Sequence, residues 1–221
     1  MKKKVNILFI SPNKWGRGIT PIWIASHSGI LKRAGHNVKL FDCTFYKNWS
    51  DDELNLNTKN SQFKSTEYEN KIVFKSSNVY EDLALEIKKY KPDIIFWSAL
   101  SSHIHGEGEY INIEYGYDLI KNLNTNALKV CGGVQATANS KLVLKRMPLI
   151  DYLISGESEL VLKKLVDSYP SVENIKKIDG ISYIDKKSNK IISNNKQSII
   201  SNLDILSPYD YSVFDEQIFL R

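Results

Sequence analysis

Cysteine is nearly missing from this chain. Cys43 and Cys131 are the only two in 221 residues, too few for a disulfide framework and in no metal-ligand spacing with each other or with a histidine pair. That argues against a stapled secreted scaffold and for a reducing compartment, read here as the cytoplasm. Arginine is scarce as well. Only Arg17, Arg33, Arg146 and Arg221 carry a planar fork, so the formal charge of +5 rests on lysine and specific nucleic-acid recognition is not expected. No apolar run approaches the roughly 18 residues of a membrane span. The basic start leads into a six-residue apolar stretch, residues 5–10, with no small-residue cleavage site after it, so it reads as a strand rather than a signal peptide. Phosphate-binding glycine loops are missing too: between residues 11 and 20 only Gly16 and Gly18 occur, and Pro21 stands at the third glycine position.

What is present is a repeating rhythm, and at 42% hydrophobic residues the chain has the means to bury a core. Apolar, β-rich runs at residues 5–10, 38–41, 94–97, 128–131 and 152–154 have the near-continuous character of strands buried on both faces. Between them lie segments of helical period. Residues 22–34 end at Gly35; Val79, Leu83 and Ile87 form one stripe; Ile113, Tyr117, Ile120 and Leu123 form another. Helices are also expected at 140–146 and from Gly156 to about Ser168. The alternation predicts an α/β fold, a doubly wound five-stranded parallel sheet of flavodoxin-like order 2-1-3-4-5. Residues 181–184 and 190–192 add a C-terminal β-hairpin at the sheet edge. Residues 43–77 are polar and break the rhythm, a structureless insertion with a few aromatic anchors. The organisation expected is a domain over 1–169, a hairpin extension over 170–202 and, over 203–221, a linker toward a missing C-terminal domain.

In such a sheet the loops leaving the carboxyl ends of the strands share one crevice. They supply Ser11, Pro12, Asn13, Gly16 and Gly18 after strand one, and Ser98, Leu100 and Ser101 after strand three. Strand four contributes Gly132, Gly133, Val134 and Gln135, and strand five Gly156 and Glu157. Paired glycines remove two side chains from the crevice wall, and Ser98 offers a hydroxyl there. Each feature alone fits a tight strand-to-helix turn or a capping serine equally well.

As an ordered set, Ser98-x-Leu100, Gly132-Gly133-Val134-Gln135, Gly156-Glu157-Ser158-Glu159, Asp179-Gly180-Ile181 and Leu203-Asp204-x-Leu206-x-Pro208-Tyr209 resemble the N-terminal cobalamin-binding, Rossmann-like region of cobalamin-dependent radical SAM enzymes. The resemblance implies a cobalamin whose own base is detached from cobalt and threaded between strands one, three and four. Ser98 would bond the base, Leu100 would pack beside it, and Gly132 and Gly133 would make room for the tail. Residues 11–20 hold no histidine where many cobalamin domains place a cobalt ligand, so a His-off cofactor is expected. Where the related pattern has Gly-Glu-Gly-Glu, this chain carries Ser158. Two cysteines cannot hold a [4Fe–4S] cluster, so the cluster and S-adenosylmethionine belong only to a longer parent chain carrying a radical SAM domain. No nucleic acid or membrane partner is expected. The remaining histidines are less specific. His27 and His36 read as structural or solvated, whereas His103 and His105 follow strand three and are solvated or axial ligands. The alternative reading is a flavodoxin- or receiver-like binding module without catalysis. Against a receiver, Ser11-Pro12-Asn13 supplies no acidic cluster.

Overall fold

The computed structural model describes residues 3–14, 20–46, 72–99, 111–197 and 199–220. Strands β1 (Asn6–Ser11), β2 (Asn37–Asp42), β3 (Ile94–Ala99), β4 (Leu128–Gly133), β5 (Tyr152–Ile154), β6 (Ile181–Asp185) and β7 (Lys190–Ser193) form one seven-stranded sheet in the order 2-1-3-4-5-6-7. Pairings among β1 to β5 are parallel, while β6 joins β5 and β7 joins β6 in antiparallel sense. The five-stranded parallel core and the added hairpin are therefore as expected from sequence, the hairpin lying on the β5 edge.

Helices α1 (Ile22–Arg33), α2 (Val79–Tyr90), α3 (Ile111–Lys121), α4 (Val134–Ala138), α5 (Ser140–Arg146), α6 (Ser158–Ser168) and α7 (Val172–Ile175) connect the strands. Side chains alternate along β1, so Ile7 and Phe9 pack with α1 and α6 residues such as Ile24, Leu162 and Leu165, whereas Leu8 and Ile10 pack with Leu83, Leu119 and Val143. Burial on both faces is the physical reason the strands are apolar without alternation. The stripe Val79, Leu83, Ile87 is the buried face of α2, and Asn78 caps that helix by accepting from the N–H groups of Tyr80 and Glu81.

Four local expectations change. In α3 the fully buried positions are Ile113, Tyr115, Leu119 and Ile120, while Tyr117 is half-buried and its hydroxyl accepts from the Leu149 N–H. The helix after β5 begins at Ser158 rather than Gly156, whose φ of +84° is not helical. A short helix, α4, stands directly behind the glycine pair, where no helix was expected. The ends of the polar insertion are built structure: Cys43–Phe45 is a buried 3₁₀ turn capped by Asp42, and Tyr46 pairs with Lys75. The aromatic rings Phe45 and Tyr46 are buried, and that burial holds the segment in place. Residues 47–71, with Gly16, Gly18, Leu100, Ser101, His103 and His105, lie outside the described residues.

The C-terminal segment returns over α1. Its 3₁₀ turns Leu203–Ile205, Tyr211–Val213 and Glu216–Leu220 bring Phe214 and Ile218 into the same core as Phe9 and Ile24. The Asp210 N–H donates to the Ala25 carbonyl at 2.9 Å, and the Asp210 carboxylate accepts from Ser28 Oγ and pairs with Lys32, each at 2.6 Å. A Cβ on Gly29 would overlap the Pro208 carbonyl oxygen, so the absence of a side chain there permits the close crossing.

Candidate functional site at the carboxyl edge of the sheet

Strands β3 and β4 end together: Ser98 pairs in register with Gly132, and Ala99 with Gly133. Ser98 is half-buried and, two residues beyond Phe96, lies on the same sheet face as that ring. A Cβ on Gly132 would sit 3.3 Å from Phe96 Cζ and 3.8 Å from the Ile154 carbonyl oxygen. The position a side chain at 132 would take is thus already filled by the Phe96 ring. Gly133 has φ +105° and ψ −171°, a region essentially confined to glycine. It turns the chain straight into α4, which buries Gln135 and leaves Val134 exposed. Thr137 Oγ1 donates to the Gly133 carbonyl at 2.9 Å and accepts from the Gly156 N–H at 2.8 Å, tying the β4 loop to the β5 loop. Glu157 is exposed, and its carboxylate accepts from the Ile200 N–H at 2.9 Å.

On the other side, Ser11 and Pro12 are buried at the end of β1. Asn13 Nδ2 donates to Thr44 Oγ1 at 3.0 Å, and Thr44 Oγ1 donates to Asp42 Oδ1 at 2.6 Å. Burial pushes the Asp42 carboxyl up from the usual range, opposed by the Thr44 hydrogen bonds. These groups close the β1–β2 end of the crevice. Of the residues expected to form the site, Ser98, Gly132 and Gly133 lie side by side, Gly156 joins them through Thr137, and Ser11 and Asn13 border β2.

The wall facing Phe96 comes from α1. Trp23 and His27 stand 5.6 and 5.5 Å from the Phe96 ring centroid, and Phe9 completes the cluster at 5.8 Å from both Trp23 and Phe96. His27 Nδ1 lies 2.6 Å from the Trp23 carbonyl oxygen, which can only accept, so Nδ1 carries the proton and Nε2 accepts from Ser158 Oγ at 2.9 Å. Burial holds this imidazole below its ordinary pKa of 6.5, opposed chiefly by the nearby Glu159 carboxylate. Sequence reasoning did not place Trp23, His27 or Ser158 at the site. In the sequence Ser158 stands out only as a departure from a glycine pattern, and residues 27 and 158 meet only through the fold. His36 is structural: its Nδ1 accepts from the Val5 N–H at 3.3 Å and its Nε2 lies 3.0 Å from Asp167.

Cys43 and Cys131 are buried, and desolvation pushes both thiols well up. Among the described residues no group of three or more His, Cys, Asp or Glu is placed to hold a metal ion. No described helix is long and apolar enough to cross a membrane.

No protein-family model matches the chain. An uncharacterized methyltransferase of Pyrococcus horikoshii is 33% identical over 125 residues, 57% of this chain and 26% of the relative. The anaerobic magnesium-protoporphyrin IX monomethyl ester cyclase of Cereibacter sphaeroides is 26% identical over 213 residues, 92% of this chain and 29% of the cyclase. The chain thus spans less than a third of the curated relatives it matches first. Among solved structures, the radical S-adenosylmethionine methyltransferase TsrM of Kitasatospora setae, with cobalamin and a [4Fe-4S] cluster bound, superposes with TM-score 0.62 at 14% identity. That match covers 99% of this chain and 34% of TsrM. The cobalamin-dependent S-adenosylmethionine radical enzyme OxsB, with aqua-cobalamin and S-adenosylmethionine bound, superposes with TM-score 0.54 at 14% identity over 89% of this chain and 23% of OxsB. These solved neighbours are radical SAM enzymes, and this chain covers 23% to 34% of their length.

Proposed function

We propose that this chain is a cobalamin-binding domain that holds a base-off, His-off corrinoid for radical SAM chemistry such as methyl transfer. The observation that carries the reading is the registered pair of Ser98 and Gly132, with Gly133 beyond it, at the carboxyl edge of the parallel sheet. That edge is where doubly wound folds take their ligands. Curated relatives that include a methyltransferase, and solved neighbours with bound cobalamin, support it.

The residues present fit the group. A cobalamin tail ends in a flat heterocyclic base on a ribose phosphate, and this crevice offers it a half-buried Ser98 hydroxyl, backbone without a side chain at Gly132 and Gly133, and the half-buried Trp23 ring. When bound, cobalamin supplies a cobalt centre able to take up and pass on a methyl group. Ser98 would donate to or accept from the base, the two glycines would keep side chains out of the tail's way, and Trp23 would help keep water from it. Residues 11–20 contain no imidazole, so cobalt receives none from that loop. In this reading 1–169 is the cofactor domain, 170–202 its hairpin extension, and 203–221 leads toward a radical SAM domain that brings its own cluster and S-adenosylmethionine.

The test is uptake. The chain is mixed with hydroxocobalamin or with FMN, and absorbance is read after gel filtration; retention of cobalamin and not FMN is expected, and retention of FMN alone overturns the assignment. The bound cofactor, reduced to cob(II)alamin, is expected to give an EPR spectrum without nitrogen superhyperfine splitting. Splitting would refute the His-off state, and His103→Ala and His105→Ala would then identify the donor.

A further inference from the structure

Gly133 is held from its two sides by different devices. Toward β3 the ladder runs to the end of the strand, pairing Ala99 with Gly133. Toward β5 it stops early: Val130 pairs with Tyr152 and Cys131 with Leu153, two residues short of Gly133 and three short of Gly156. Thr137 carries the connection past that point. Its Oγ1 donates to the Gly133 carbonyl at 2.9 Å and accepts from the Gly156 N–H at 2.8 Å, so the hydroxyl's one proton and a lone pair are both in use. Ser155 Oγ adds a longer link to the Ala136 carbonyl at 3.2 Å. The first Thr137 bond is the ordinary return of a helical threonine to the carbonyl four residues back. The second is not, because it reaches the loop of a different strand.

The two residues that Thr137 joins are the ones least able to hold themselves. Gly133 has φ +105° and Gly156 φ +84°, and glycine has more backbone freedom to lose than any other residue. Thr137 is exposed, so water can satisfy either of its partners and the hydroxyl adds little to global stability. Water does not, however, fix the distance between two loops. We propose that Thr137 is a positioning residue for the cofactor: it sets the Gly133 turn and the Gly156–Glu157 loop in one arrangement before a corrinoid arrives, so that binding does not have to order them. This rests on the cobalamin reading, in which the glycine pair lies against the cofactor. Thr137 acts through Gly133 and Gly156 rather than by touching the corrinoid.

The experiment compares the 221-residue chain with Thr137→Val, which keeps the shape and removes the hydroxyl, with Thr137→Ser, which keeps the hydroxyl, and with Asn139→Ala. Asn139 caps the next helix by accepting from the Leu142 N–H at 3.0 Å, a bond that involves neither glycine, so its variant controls for a small loss of stability in the same region. Hydroxocobalamin affinity is measured by absorbance titration, and exchange of the Gly156 amide is read by NMR in the absence of ligand. Thr137→Val is expected to bind about three- to tenfold more weakly, as for one ordinary hydrogen bond, and to exchange the Gly156 amide faster by a similar factor. Thr137→Ser should restore both, and Asn139→Ala should leave both as in wild type. A Val variant with wild-type affinity, or with unchanged Gly156 exchange, overturns the inference. So does an Asn139→Ala variant that weakens binding equally, since Thr137 would then act only by stabilising α4 and α5, and so does a Val variant that fails to fold. If the wild-type chain takes up no hydroxocobalamin while Gly156 exchange responds to Thr137→Val, the cobalamin reading falls and the positioning role falls with it.

Discussion

At Gly133 a side chain has nowhere to go in torsion space, because φ +105° and ψ −171° is a conformation that only glycine adopts without strain. Gly133→Ala is expected to cost about 1 to 3 kcal/mol, seen as a lower urea midpoint at unchanged slope. Loss of cofactor in a Gly133→Leu variant would therefore mix backbone strain with blockage of the tail. Ser98→Ala separates them. Ser98 is half-buried, so the variant should keep its stability within about 0.5 kcal/mol while binding hydroxocobalamin more weakly; unchanged binding would remove Ser98 from the site. His27 gives a pH signature. Its folded pKa is held below 6.5 by burial, so on acidification from neutral the unfolded chain takes up a proton that the folded chain refuses. Stability from this group is complete above pH about 7 and is lost progressively below the ordinary value of 6.5 down to the lowered folded pKa. The slope of unfolding free energy against pH over that interval should be shallower in His27→Gln than in wild type.

Among the elements, the C-terminal segment over α1 has one electrostatic anchor. Burial alone would raise the Asp210 carboxyl, but hydrogen bonds from Lys32, Ser212 and Ser28 hold it well below the usual carboxylate range. A depressed carboxyl contributes stability that is present above its unfolded pKa of about 3.9 and is lost as pH falls through the folded value. Asp210→Asn keeps the shape and removes the charge, and with partners partly in solvent the cost should be about 1 to 2 kcal/mol. Hydrogen exchange should then rise in residues 203–220 while the amides of β1 and β3 stay protected. Gly29→Ala should produce the same pattern by steric means, since its Cβ would meet the Pro208 carbonyl. Faster exchange throughout the sheet would mean that the segment is integral to the core.

For the molecule as a whole, a ligand that binds only the folded chain raises its stability by mass action, about 2.7 kcal/mol at a hundredfold excess over Kd. Hydroxocobalamin should therefore raise the thermal midpoint in a concentration-dependent way, and FMN should not. The chain given a reductant and S-adenosylmethionine should release no 5′-deoxyadenosine. Its two cysteines, Cys43 in the 3₁₀ turn after β2 and Cys131 on β4, are both buried and too few to hold a cluster. Release in proportion to protein concentration would show that the chemistry resides in this chain.

The strand order and both faces of the sheet were legible in the sequence because a strand buried on two sides must be apolar throughout, and residues 5–10, 94–97 and 152–154 have that composition. The glycine pair was legible for a similar reason, since nothing else satisfies the turn at Gly133. The five-residue helix α4 was not, being too short to show a period, and neither was the ordering of 43–46 and 72–75, which depends on rings buried against distant strands. The path of residues 203–220 over α1 was hidden because it hangs on contacts between positions some 180 apart, such as Ser28 with Asp210. The same holds for the hydrogen bond between Ser158 and His27. Local sequence decides that a serine stands there, and only the packing of α1 against α6 decides that His27 takes its proton. Periodicity and turn chemistry act over a few residues and so can be read along the chain, whereas the protonation and hydrogen-bond direction of a buried group depend on everything the fold brings around it.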